Sequence, residues 1–136
     1  MRMLLAALLC LAATCTATMA EPRPEETTKV VFSQALPNAP GKSLIAVEVN
    51  YPPRGASPSH RHAPSSFIFA YVLQGTIRSS VDGAPVKTYR PGESWFEAPG
   101  AHHTVSENAS ETEPARLLAI FIADSNDKTL VIPDKK

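Results

Sequence analysis

An all-β fold, a small antiparallel sandwich or barrel, follows from three features of this 136-residue sequence. Ile45, Val47, Val49 and Tyr51 alternate with Ala46, Glu48 and Asn50, the period of two that marks a half-buried strand. Turn signals such as Pro52-Pro53-Arg54-Gly55, Gln74-Gly75, Asp82-Gly83 and Pro91-Gly92 recur about every 8–12 residues, the spacing of small β-domains. Thirteen prolines against six glycines argue against a helical bundle, and no amphipathic helical period appears after the first 20 residues. The length allows one domain. Thirteen basic and thirteen acidic side chains cancel, so there is no basic footprint for nucleic acid.

The chain opens as a secretory signal peptide. Met1, Arg2 and Met3 form a positive n-region, an apolar run extends from Leu4 to Ala13, and small residues end at Ala17-Thr18-Met19-Ala20. The apolar run is too short to cross a bilayer, which takes roughly 20 residues, so cleavage after Ala20, or after Ala17, is expected. Cys10 and Cys15 both lie in this segment. The mature protein then reaches a secreted or periplasmic location with no disulfide and no membrane association. Residues 1–20 are the signal, 21–40 an extension with the first strand, 41–125 the barrel, and 126–136 a last strand and tail.

The strands follow in order. A polar lead-in, Glu21 to Thr28, precedes a strand over Lys29 to Leu36, and the alternating strand over Leu44 to Tyr51 comes next. Phe67 to Leu73 is apolar almost throughout, while Thr76 to Val81 alternates and ends at the hairpin signal Asp82-Gly83. Short strands are expected over Val86 to Tyr89, Ser94 to Glu97 and His103 to Ser106, then Leu117 to Ala123 and Thr129 to Ile132.

Four histidines occur in two groups, His60 with His62 and His102 with His103. On an extended chain, residues two apart share a face, so His60 and His62 project together with a bite that suits one metal ion, while Arg61 points away. A third ligand must come from elsewhere, and His102 or His103 is the source. Neighbours on a strand face opposite ways, so only one of the pair joins. Imidazole ligands suit Fe, Zn, Cu and Ni. There is no phosphate loop and no nucleophilic cysteine in the mature chain.

Two segments carry a family resemblance. Gly55-Ala-Ser-Pro-Ser-His60-Arg-His62 with Tyr71-Val-Leu-Gln-Gly75 resembles the first motif of the cupins. Pro91-Gly92-Glu93-Ser-Trp-Phe-Glu97-Ala-Pro99-Gly100-Ala-His-His103, followed by Asn108, resembles the second. The resemblance spans Leu44 to Ile122 and implies a jelly-roll β-barrel around a pocket. It implies that His60, His62 and His103 hold a metal, because Gly100 stands three residues before His103, and it leaves His102 on the opposite face. It gives Gly75, Gly92 and Gly100 turn roles and makes Asn108 structural, although Asn108-Ala109-Ser110 also reads as a glycosylation sequon. Cupins are often dimers, and an exposed strand edge is a low-cost route to a homodimer.

One departure stands out. Seven residues before Gly75, where cupins usually carry a glutamate ligand, this chain has Ile68, and no acidic residue lies between His62 and Gly75. Glu97 is the candidate replacement, as ligand or acid/base, with Tyr71 as a second proton carrier. Three neutral ligands suit Fe, Zn, Cu or Ni better than Mn and leave positions open for substrate. If Ile68 faces inward, Ala70 and Val72 follow it, giving an apolar lining for an apolar or aromatic small molecule. Trp95, Phe96, Phe67 and Tyr71 are expected to pack between the sheets or close the mouth. The resulting functions are a metal-dependent dioxygenase-like enzyme, a Lewis-acid isomerase, cyclase or lyase, and a non-enzymatic small-molecule binding protein.

Overall fold

A computed structural model describes residues 21–135, so the expected signal segment lies outside the described residues. Ten strands follow one another: β1 (Thr27–Ala35), β2 (Lys42–Tyr51), β3 (His60–His62), β4 (Phe67–Gln74), β5 (Ile77–Val81), β6 (Lys87–Tyr89), β7 (Ser94–Glu97), β8 (His102–Asn108), β9 (Ala115–Asp124) and β10 (Val131–Pro133). There is no helix among the described residues. The strands form two five-stranded antiparallel sheets, ordered β1-β2-β9-β4-β7 and β10-β3-β8-β5-β6, the all-β jelly-roll arrangement.

The sheets meet through one apolar core. Tyr51, Ile68, Val72, Leu117 and Phe121 of the first sheet pack with Ile77 of the second. Alternation explains which residues enter it. In β4, Ile68, Ala70 and Val72 are buried, whereas Phe67, Phe69, Tyr71 and Leu73 face out. β4 is apolar on both faces, and its outer residues continue onto Phe96 of β7, whose ring stacks on Phe67 with centroids 5.8 Å apart.

Turn chemistry holds the connections. Asp82 and Gly83 both adopt positive φ, as the central residues of a tight turn in which Ala84 N donates to the Val81 carbonyl at 3.0 Å. Gly75 also has positive φ, and a Cβ there would stand 2.6 Å from the Pro114 carbonyl oxygen, so the turn admits only glycine. The lead-in is fastened rather than free: Ala56 N donates to the Pro24 carbonyl at 3.0 Å, and Arg23 pairs with Glu107.

The departures from the sequence expectation that bear on the site are at β3 and β8. Pro58, Pro64 and several serines surround His60–His62, yet these residues form a three-residue strand paired to β8 and β10. β8 begins at His102 and runs to Asn108, longer at both ends than expected. Asn108 is buried and fully engaged, donating to the Pro52 and Glu113 carbonyls at 3.0 and 2.7 Å and accepting from Ser110 N at 2.8 Å, which is the structural role expected of it.

Candidate metal centre

The β3–β8 ladder positions the histidines. His60 pairs directly with His103, and His62 lies two residues along β3 on the same inward face. All three are buried, and one ring nitrogen from each lies within 4.8 Å of the others. Metal–nitrogen bonds are about 2.1 Å, so three nitrogens sharing one tetrahedral ion lie roughly 3.4 Å apart; side-chain movement of roughly 1 Å would bring the cluster to that spacing.

Backbone carbonyls orient two of the rings. His60 Nδ1 donates to the Pro58 carbonyl at 2.7 Å, and His62 Nδ1 donates to the Leu130 carbonyl at 3.3 Å. Each bond puts the proton on Nδ1 and leaves Nε2 as the lone pair, the arrangement found in metal-binding imidazoles. His103 sits between Ser79, whose Oγ is 2.9 Å from Nε2, and Glu97, whose Oε1 is 3.2 Å from Nδ1.

Glu97 borders the cluster, in contact with His62 and His103. Its partner across the β4–β7 ladder is Ile68, and both point inward. The carboxyl group thus enters from the strand beside the position where the cupin resemblance expects one. Trp95 Nε1 donates to Glu97 Oε1 at 3.1 Å. On the other side, Glu97 Oε2 lies 2.9 Å from His62 Nε2, but the two atoms lack hydrogen-bonding geometry and both remain buried without a partner. A carboxylate oxygen and an imidazole lone pair facing each other in the interior form a donor set for a cation. The residues present therefore fit a divalent transition metal.

The titration behaviour agrees. Burial pushes His103 down to about 4, with the neighbouring Glu97 only partly opposing it. Burial also lowers His60. Both rings are therefore neutral near pH 7, the state that binds metal. Burial alone would raise the Glu97 carboxyl, but contact with His62 and the influence of His103 outweigh it and hold the group below its ordinary value.

The cluster lines a cavity of about 240 Å³ between the sheets. Ile68 and Ala70 contribute to its wall, as expected, together with Trp95, Leu117, Ala119 and Phe121. Val72 is buried in the core but does not reach the cavity. Trp95 lies against Tyr89, with ring centroids 4.5 Å apart.

Tyr71 does not line the cavity. The pleat that turns Ile68, Ala70 and Val72 inward turns Tyr71 outward, beside Phe69 and near Gly92, so the structure gives no support to a proton-transfer role. Phe67 and Phe96 follow the same parity onto the outer face instead of packing between the sheets, and Phe96 remains 66% exposed.

His102 also faces out, where its Nε2 lies 2.8 Å from Asp134 Oδ2 and its Nδ1 3.3 Å from Arg61. Ser79 and the Pro58 and Leu130 carbonyls were not singled out from the sequence. The alternation of Ile77, Ser79 and Val81 carried a signal for Ser79, whereas the carbonyls depend on backbone packing and left none.

The family model for the cupin domain matches residues 47–121, more than half of the chain. The protein is a cupin. No curated protein sequence matches it. The cupin is similar to a double-stranded β-helix protein from Klebsiella pneumoniae, with 16% identity over 81% of this chain and 86% of that one, and a TM-score of 0.60. It is similar to a Thermus thermophilus protein, with 25% identity over 74% and 84% of the two chains and a TM-score of 0.57. It is also similar to a DMSP lyase from Ruegeria pomeroyi, with 22% identity over 66% of this cupin but only 42% of that chain, and a TM-score of 0.53.

Proposed function

We propose that this cupin is a secreted, metal-dependent enzyme that oxidises a small, largely apolar or aromatic metabolite in the manner of a dioxygenase, both oxygen atoms entering the product. One observation carries the reading: three buried imidazoles and a carboxyl group meet in the wall of a largely apolar cavity. Such a cavity with a few convergent polar groups is the usual form of a small-molecule site. Bound iron or copper supplies the redox chemistry that dioxygen requires. The chain's own residues do the rest. The Pro58 and Leu130 carbonyls fix the imidazole tautomers, Ile68, Leu117 and Phe121 exclude water, and Glu97 is placed to hold or move a proton at its carboxylate.

The test is oxygen uptake by iron- and copper-loaded protein against a panel of catechols, flavonols and diketones. Uptake with at least one substrate, lost in His60→Ala/His62→Ala, is expected. No uptake across the panel overturns the reading.

A second reading, a metal-assisted lyase or isomerase, is favoured by Glu97, a buried carboxylate placed as a base in the cavity wall. The likeness to a DMSP lyase shows the fold alone. Turnover under argon that disappears in Glu97→Gln would select this alternative.

A further inference from the structure

The cavity has a second carboxyl group that the metal centre does not use. Glu26 immediately precedes β1, and the period of two carries Glu26, Thr28 and Val30 to the cavity wall together. The β1–β2 register sets Thr28 opposite Val49 and Val30 opposite Val47, and these valines line the same wall. Glu26 Oε2 is buried and has no hydrogen-bond partner. Glu26, Tyr51 and His60 line the same cavity, so the carboxyl group faces the space into which the histidines open.

Tyr51, a hydroxyl donor in the same wall, is already committed. Tyr51 Oη shares hydrogen bonds with Ser57 Oγ at 2.9 Å and Ser106 Oγ at 2.7 Å. Water can find polar partners in this wall, which includes Thr28 and Ser57, but it is a neutral donor. A buried carboxylate oxygen without a donor is costly, and a charged donor compensates it better than a neutral one.

We infer that Glu26 is a ligand-recognition residue that selects small molecules carrying a primary ammonium group on an apolar body. The inference rests on the proposed function only in taking this cavity as the ligand site, and it needs no particular reaction. The ammonium group binds Glu26, and the apolar body lies along the valine and phenylalanine walls toward the histidines. The lead-in holds Glu26 in place through the Pro24–Ala56 hydrogen bond and the Arg23–Glu107 pair.

Trp95 is the sole tryptophan of the chain and lines the cavity, so its fluorescence reports occupancy. Titration of the full chain with 2-phenylethylamine and with 2-phenylethanol compares one body with two head groups. The amine is expected to bind about tenfold more tightly or better, as a charge-assisted hydrogen bond implies. In Glu26→Gln that preference is expected to fall to about threefold or less. Equal binding of the two probes by the wild type, no binding of either, or a preference that survives Glu26→Gln overturns the inference.

Cobalt(II) binding is the control, expected within about twofold of wild type in Glu26→Gln. Loss of cobalt together with the amine preference also overturns a separate role for Glu26. Failure of the wild type to bind cobalt would count against the metal reading alone.

Discussion

The two faces of the β3–β8 ladder make different use of the same residue type. On the inner face, His60 opposes His103 across the strands, and with His62 they form a buried cluster with Glu97. On the outer face, Arg61 opposes His102, which contacts Asp134 and Ser59. The His103 side chain is 6% exposed and that of its chain neighbour His102 is 27% exposed. The difference is the pleat alone. Inside, polar atoms left without partners mark where a ligand belongs. Outside, each polar contact competes with water and contributes little.

The sharpest break of this comparison is His60→Ala/His62→Ala, expected to lower metal affinity by about 100-fold or more, since two of the proposed ligands are gone. His103→Ala should behave similarly, while His102→Ala should keep full stoichiometry in elemental analysis. An equal loss of metal from His102→Ala would erase the distinction between the faces.

Glu97→Gln comes next. It is expected to weaken cobalt(II) binding by about 10- to 100-fold, the range for groups that tune or complete a metal site. The exchange Ile68→Glu/Glu97→Ile should recover much of that loss if the two paired positions are interchangeable. A smaller loss in Glu97→Gln than in His102→Ala would refute the role given to the carboxylate.

Tyr51→Phe tests the interior polar network that the protein satisfies by itself. Removing a hydroxyl bonded to Ser57 and Ser106 should cost about 1 kcal/mol in denaturant unfolding. Burial raises the phenol from its ordinary 10.0 to about 12, despite the two serine hydrogen bonds. The protonated, folded form is therefore favoured, and this contribution is whole below pH 10 and is lost as pH rises through about 12. Wild-type stability should fall across that window more steeply than that of Tyr51→Phe. Parallel alkaline limbs would contradict the assignment.

The smallest effect belongs to the outer face. Asp134→Asn removes the contacts with Ser59 and His102, and hydrogen exchange should quicken at the amides of β10 with no shift in the unfolding midpoint. Faster exchange throughout the core would show that the outer contacts matter more than the comparison allows.

Much of this was readable from local pattern. The period of two assigned His60 and His62 to one face and separated His102 from His103, and it put Ile68, Ala70 and Val72 on a common face. Taken strictly, the same alternation places Tyr71 outside. The aromatic residues on both sides of Phe67–Leu73 hid that parity, because a strand apolar on both faces does not declare which face is the core. The place of Glu97 was harder to foresee. It depends on the pairing of β4 with β7, a register set by chain segments far apart in sequence. β3 could not be recognised as a strand because three residues among prolines and serines carry no period. Glu26 gave no local signal either, since its significance comes from the packing of the lead-in against Ala56 and Glu107.

The Leu130 carbonyl that steadies His62 stands immediately before the short strand β10, which runs beside β3 near the C-terminus. The tail thus serves as a brace for the cluster, although it donates no ligand. A proteolytic cut or substitution that unpicks β10 would therefore reach the histidines through the backbone.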